Sequence, residues 1–355
     1  MGHPVDRAGL RDRVQRALAG FLAQRREHMT AIDKDLSPLA DSVETFVLGG
    51  GKRLRPAFAY WGYRGTGAPD SDELIAAVAT LELVQAGALI HDDLMDGSDT
   101  RRGEPSVHRR FETLHAINLW HGRGEQFGGA VALLLGDLCL VWSDELLRAS
   151  GFDPMAVHRA RATFDVMRTE VMLGQYLDVL AQATAETSVN RASLIARYKS
   201  AKYTVEHPLL FGAALAGAPP SLSAAYSAFG LPLGEAFQLR DDILGVFGDP
   251  AETGKPAGDD LREGKRTFLV AAAFEAAAPA ERDLLAKSLG DPGLDTTDVV
   301  RLCEVIVQSG ALERTEARIA SLTSAGLSAL DGTDIDPVAR DVLRQLAEVA
   351  VYRST

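Results

Sequence analysis

Apolar residues return every three or four positions through most of this chain, the spacing that lines one face of an α-helix. Four runs show it well: DELIAAVATLELVQAGALIHDDL at 72–94, GGAVALLLGDLCLVWSDELL at 128–147, RATFDVMRTEVMLGQYLDVLAQ at 161–182 and LVAAAFEAAAPAERDLLAKSL at 269–289. Each predicts a helix rich in alanine and leucine. Some are apolar nearly all round, which fits burial inside a large bundle. The alternating β-branched pattern of strands is missing. Breaks fall at 65–71, 97–106, 121–129, 217–221 and 248–267, where Gly, Pro, Ser and Asp cluster. None reads as a flexible linker. The pattern predicts one all-α domain over 1–355, with an N-terminal arm to about Asp41.

Composition narrows the picture. Hydrophobic residues make up 46% of the 355, ample for a core, and charged residues only 24%, so the chain is globular rather than disordered. A net charge of −12 argues against general nucleic-acid binding, and any anionic ligand would need local cations or metal ions. No stretch of 18 uncharged apolar residues occurs, so no membrane span is expected, and the charged N-terminus lacks a signal-type core. Cys139 and Cys303 have no metal-site spacing and read as reduced core thiols of a cytoplasmic protein.

The charged residues carry the chemistry. In HDDLMDGSDTRRG, 91–103, Asp92 and Asp96 stand four apart on one helix face, about 6 Å along the axis. They sit where the helix dipole disfavours acids, which calls for a cation. Oxygen-only donors suit magnesium, which is usually shared with substrate phosphates. A second stretch, GEAFQLRDDILGVFGD at 234–249, repeats the design, an apolar helical run followed by Asp241 and Asp242. Two such pairs can face each other across a bundle. The cations fall in separate segments: Lys52, Arg53 and Arg55 after three glycines in GGGKRLRP, then Arg101 and Arg102. Lys199 and Lys202 follow in YKSAKYTVEHP, and Lys255, Lys265 and Arg266 in TGKPAGDDLREGKRT. Acidic pairs beside basic loops suggest a diphosphate held by metal on one side and by Lys and Arg on the other. Among these cations Lys199, Arg53 and Arg266 read as solvated surface charges.

Taken in order, GGGKRLRP, HDDLMDGSDTRRG, GQYLD, the Lys202 helix, FQLRDD and GKPAGDDLREGKRT resemble the trans-isoprenyl diphosphate synthases, the polyprenyl synthase family, most like a geranylgeranyl diphosphate synthase. The resemblance implies a type I isoprenoid synthase fold, a homodimer, and three magnesium ions gripping an allylic diphosphate. Asp92, Asp96 and Asp241 would be direct ligands, with Asp93 and Asp242 in support. Arg101, Lys202, Lys255 and Lys265 match the allylic-diphosphate cations. Lys52, Arg55, Gln85 and Arg102 match the isopentenyl diphosphate site. Tyr203 follows Lys202 where many relatives have Thr, and the Gln238 side chain would face the allylic cation. Gly245 stands where many relatives have a third Asp of the second motif.

Further expectations concern size and alternatives. Gly87 and Ala88, five and four residues before Asp92, would line the wall past which a product grows; being small, they predict growth to geranylgeranyl diphosphate, twenty carbons. Val84, Leu138 and Trp142 are candidates for a deeper floor. The stretch 113–129 reads as a long loop, with His115 and His121 in packing roles. His91 reads as a packing or hydrogen-bonding residue, Asp137 and Asp178 as structural acceptors, and Gln175 as within reach of the site. Farnesyl or longer-chain synthesis, a class I terpene cyclase, an inactive regulatory subunit and a plain divalent-ion binder are the alternatives. The last three fit poorly with two intact Asp motifs and a separate basic cluster.

Overall fold

A computed structural model describes residues 3–249 and 258–351, and the apolar runs fold as helices of one bundle. In chain order they are α1 Leu10–Ile32, α2 Ser37–Leu48, α3 Leu54–Arg64, α4 Asp72–Met95, α5 Val107–Ile117, α6 Gly124–Arg148, α7 Pro154–Ala183 and α8 Val189–Ile195. A π-helical segment, Ala196–Glu206, continues α8 and leads into α9 His207–Ala216. Next come α10 Pro220–Phe247, a single turn α11 Asp259–Arg262, α12 Phe268–Ala276, α13 Pro279–Ser288, α14 Thr296–Gln308, α15 Ala311–Ala329 and α16 Pro337–Val351.

Helix α4 is the axis of the fold. The Ser71 side chain accepts the Leu74 N–H and so caps its first turn, which also carries Asp72 and Glu73 against the positive end of the dipole. Beyond that turn α4 is buried on nearly every side, with α1, α3 and α6 packed around it. It alone among the described residues is long and apolar enough to cross a bilayer, yet 72% of its apolar window is buried in the bundle. A Cβ built on Gly87 would lie 2.9 Å from the Gly136 carbonyl oxygen and 3.2 Å from Leu140 Cγ, so the missing side chain lets α4 and α6 close together.

Three expectations change. The N-terminal residues form no loose arm: Val5, Leu10, Val14, Leu18 and Leu22 are core residues, and Arg13 ties α1 to Asp70 (2.7 Å) and Asp72 (3.0 Å). The run 269–289 divides at Pro279, which lacks the N–H an interior position needs and starts a new helix instead. The stretch 113–129 is mostly helix, with only 118–123 between α5 and α6. There His115 Nε2 meets the His121 carbonyl at 3.1 Å while its ring packs on Trp120 and Phe127.

One short sheet appears where none was expected. Thr100–Arg101 pairs antiparallel with Glu104–Pro105, Thr100 opposite Pro105 and Arg101 opposite Glu104. The two residues of its turn, Arg102 (φ 57°) and Gly103 (φ 78°), are both left-handed, the backbone of a tight hairpin.

Candidate active site

The C-terminal halves of α4, α7 and α10 and the π segment enclose a cavity of about 860 Å³, with polar groups at one end and an apolar interior. Asp92, Asp241 and Asp242 line it. Asp96 caps α4, its N–H bonded to the Asp92 carbonyl at 2.8 Å. Its side chain, 4% exposed, stands at the rim.

Cations from three segments meet the first Asp pair. Lys199 Nζ lies 3.2 Å from Asp92 Oδ1 and 2.5 Å from Asp178 Oδ2, and Gln175 Nε2 donates to the same Asp92 oxygen (2.9 Å). Lys265 Nζ lies 3.5 Å from Asp96, 3.4 Å from Asp260 and 2.5 Å from Glu263. Arg101 donates Nε to Asp93 Oδ1 (2.9 Å) and stands 3.8 Å from Asp92. Asp93 thus turns away from the cavity and orients Arg101.

These charges set the acidities. Burial raises the Asp92 pKa, but Lys199, Lys265 and Arg101 more than offset it and hold it at about 2. Burial and the neighbouring Asp92 carboxylate push Asp96 up to about 6, against Lys265. Burial drives Asp242 to about 8; the Gln238 amide, donating to it at 2.8 Å, opposes this, while Asp260 and Asp241 add to it.

A hard cation fits this donor set. Asp96 Oδ2 is buried with no hydrogen bond, only an ammonium at 3.5 Å. Among the described residues no three acidic, histidine or cysteine side chains converge on one point, and the lysines lie between the acids. Magnesium is typically held by one or two carboxylates plus substrate phosphates and water, so the paired acids meet its needs only when a diphosphate completes the shell.

A second polar group lines the same cavity. Lys52, Arg55, Gln85, Arg102 and Tyr203, all singled out by the sequence, come together there. Tyr203 donates its hydroxyl to Gln85 Oε1 (2.8 Å), and Arg55 stacks on the Tyr203 ring (4.3 Å) while donating to Thr204 (2.8 Å). Arg55 Nε is buried without a partner. Arg102 donates to the Gly50 carbonyl (2.9 Å). The hairpin therefore sends Arg101 toward the Asp pair and Arg102 toward the glycine loop, so adjacent residues face two separate polar groups of the cavity.

Several sequence assignments are corrected. Lys202 does not line the cavity: its ammonium sits 2.8 Å from Glu170, which also meets His207 at 2.7 Å. Lys199, set aside as a surface charge, takes that place instead. The π segment explains the error. Bonding from i to i+5 widens the turn, so residues three apart no longer share a face as on an α-helix. Ser200, not Tyr203, then follows the site lysine. Arg53 is no surface charge either. It is buried against Glu82, donates to Gln15 (2.8 Å) and the Val47 carbonyl (2.7 Å), and so anchors the glycine loop from beneath. Arg266 lines the cavity.

Gly87 faces α6 and not the cavity; Ala88, Val84 and Leu89 supply the α4 wall. Of the proposed floor residues only Val84 lines the cavity, and Trp142 packs on Phe21. Asp137 is 68% exposed, 3.7 Å from His91, whose Nε2 also meets the Leu133 carbonyl at 3.1 Å. Lys255 lies outside the described residues. Asp260 was missed. A Cβ on Gly245 would fall 2.0 Å from Asp260 Oδ2, so the α11 carboxylate occupies the room above the glycine. The nearby Glu263 and Lys265 in DDLREGK were the available clue.

Comparison with known proteins identifies the family. The family model described as Polyprenyl synthetase matches residues 37–306. A geranylgeranyl diphosphate synthase of Mycobacterium tuberculosis is 33% identical over 283 residues, 78% of this chain and 75% of the relative. The geranylfarnesyl diphosphate synthase of Aeropyrum pernix is 31% identical over 309 residues, 86% and 91% of the two chains. The crystal structure of a Corynebacterium glutamicum geranylgeranyl pyrophosphate synthase, complexed with isoprenyl diphosphate and magnesium, is similar with a TM-score of 0.94. It is 41% identical, covering 99% of this chain and 100% of that one.

Proposed function

The chain belongs to the polyprenyl synthetase family and is a trans-prenyltransferase, and from that premise we propose that it joins isopentenyl diphosphate to an allylic diphosphate to give geranylgeranyl diphosphate. The observation that carries this reading is the pair of cationic groups in one cavity, one on each side of the Arg101–Arg102 hairpin, with an apolar wall behind them that includes Val84, Ala88 and Leu89.

Each group then has a task. Lys199, Lys265 and Arg101 bind the allylic diphosphate, and Lys52, Arg55, Gln85 and Arg102 bind isopentenyl diphosphate. Asp92, Asp96 and Asp241 would hold magnesium, which supplies charge neutralisation of the leaving diphosphate. The allylic C–O bond breaks, and the Lys and Arg donors stabilise the departing charge. Gln238 and the apolar wall of Ala88, Leu89 and Phe237 exclude water from the allylic cation. The isopentenyl double bond attacks C1 of that cation, a new C–C bond forms, and a proton is lost to the departed diphosphate. No protein nucleophile is required.

We also infer a homodimer. Leu133, Leu134 and Val141 on α6 and Leu173 on α7 are large apolar side chains more than half exposed and outside the cavity lining. A second copy covering both faces would remove them from water. Light scattering should return twice the 38.0 kDa chain mass.

The test is chromatography of products made from isopentenyl diphosphate and dimethylallyl, geranyl or farnesyl diphosphate with magnesium. A twenty-carbon product is expected. No condensation with any acceptor refutes the reading, and Asp92→Ala and Asp241→Ala should each abolish turnover while remaining folded.

A further inference from the structure

The apolar interior of the cavity does not end on hydrocarbon. Its walls carry Val84 and Ala88 from α4, Leu140 from α6, and Val171 and Met172 from α7. The lining residue of α7 farthest from the diphosphate end is Arg168. Its side chain is 17% exposed and is held on three sides. Nη1 lies 2.6 Å from Asp144 Oδ2 on α6, Nη2 lies 2.5 Å from Asp165 Oδ1, and the guanidinium stacks over the Phe164 ring at 4.3 Å. Arg161 joins from outside, 3.2 Å from Asp144. A four-residue ionic cluster thus spans α6 and α7, two helices that otherwise touch little.

Its depth suits a product terminus. Arg168 stands ten residues before Asp178, which pairs with the site lysine, so it lies about 15 Å down the helix axis. An isoprene unit adds four main-chain bonds, about 5 Å when extended. About three extended units span that depth, so the fourth unit of a twenty-carbon tail is the one that meets Arg168.

We propose that Arg168, fixed by Asp144, is the floor that stops chain growth. This rests on the prenyltransferase reading and goes beyond it by assigning the specificity-determining residue. A tail that reaches Arg168 meets a hydrogen-bonded charge. Pressing further strips water from the guanidinium or forces it off Asp144, which breaks up the cluster that Arg161, Asp144, Arg168 and Asp165 form together. An apolar floor would impose only a steric limit; this one is also electrostatic.

The test compares product lengths from isopentenyl and farnesyl diphosphates. Arg168→Met keeps much of the side-chain bulk and removes the charge. Asp144→Asn loosens the same pair from behind the wall. Either should raise the share of products longer than twenty carbons at least about tenfold over the parent enzyme. Arg161→Leu, which leaves the Arg168–Asp144 contact in place, should leave product length unchanged. An unaltered distribution in a soluble, active Arg168→Met or Asp144→Asn enzyme overturns the proposal. Failure of the parent enzyme to condense any pair would instead remove the function it rests on, so the two failures are distinguishable.

Discussion

Replacing Arg53 with alanine should unfold this protein more readily than any loss of a surface charge would. Arg53 and Glu82 have side chains only 3% and 7% exposed. Truncating Arg53 removes the ion pair and the bonds to Gln15 and the Val47 carbonyl, and it strands the Glu82 carboxylate in the core. Breaking a buried pair from one side typically costs about 3–5 kcal/mol, against about 0–1 for an exposed pair. Replacing both partners together, Arg53→Met with Glu82→Leu, should recover most of that loss, because the desolvation penalty leaves with the charges. Urea unfolding followed by circular dichroism gives both values. A function is coupled to the same site. Glu82 lies near enough to Arg102 to act on it electrostatically, so an orphaned Glu82 should draw Arg102 from the isopentenyl site and raise KM for that substrate. A single-variant loss below about 1 kcal/mol would refute the reasoning, since that is what a solvated charge would give.

Other substitutions separate neighbours that look equivalent in the sequence. Ala88→Phe should shorten the main product to fifteen carbons by chromatography, while Gly87→Phe should strike the α6 backbone and cost at least about 1–3 kcal/mol in thermal unfolding without acting as a gauge. Lys199→Ala should lower kcat/KM about 10²-fold or more, whereas Lys202→Ala should stay near the parent value. Equal losses would undo the assignment. Gly245→Asp restores the usual motif yet should reduce activity about 10- to 100-fold in a magnesium titration, because Asp260 must leave its place and its contact with Lys265.

Much of the architecture was legible because the signals were local. Apolar periodicity located α4, α6, α7 and α10, and acids closing the apolar runs of α4 and α10 marked the polar end of the cavity. What escaped was side-chain direction. A π segment is set by packing against α7 and α10, so nothing in YKSAKYT reveals that Lys199 and Lys202 diverge. Arg53 looked solvated because its partner Glu82 is 29 residues away. Gly87 and Ala88 are adjacent and equally small, and only the proximity of α6 decides which one the cavity sees. Arg168 drew no notice among ordinary helical charges until Asp144 was brought beside it from another helix.

The division of labour along α4 bears on how such an enzyme can diversify. Its last turn holds the acids, while Ala88 and Val84, one and two turns earlier, line the apolar part of the cavity. Drift at those two positions can change the length of the lipid made while leaving bond-breaking intact. Gly87 is denied that freedom by the helix resting on it. Inherited variation in product size is therefore channelled into a narrow stripe, one residue in every three or four, on a helix whose other faces are fixed by the need to fold.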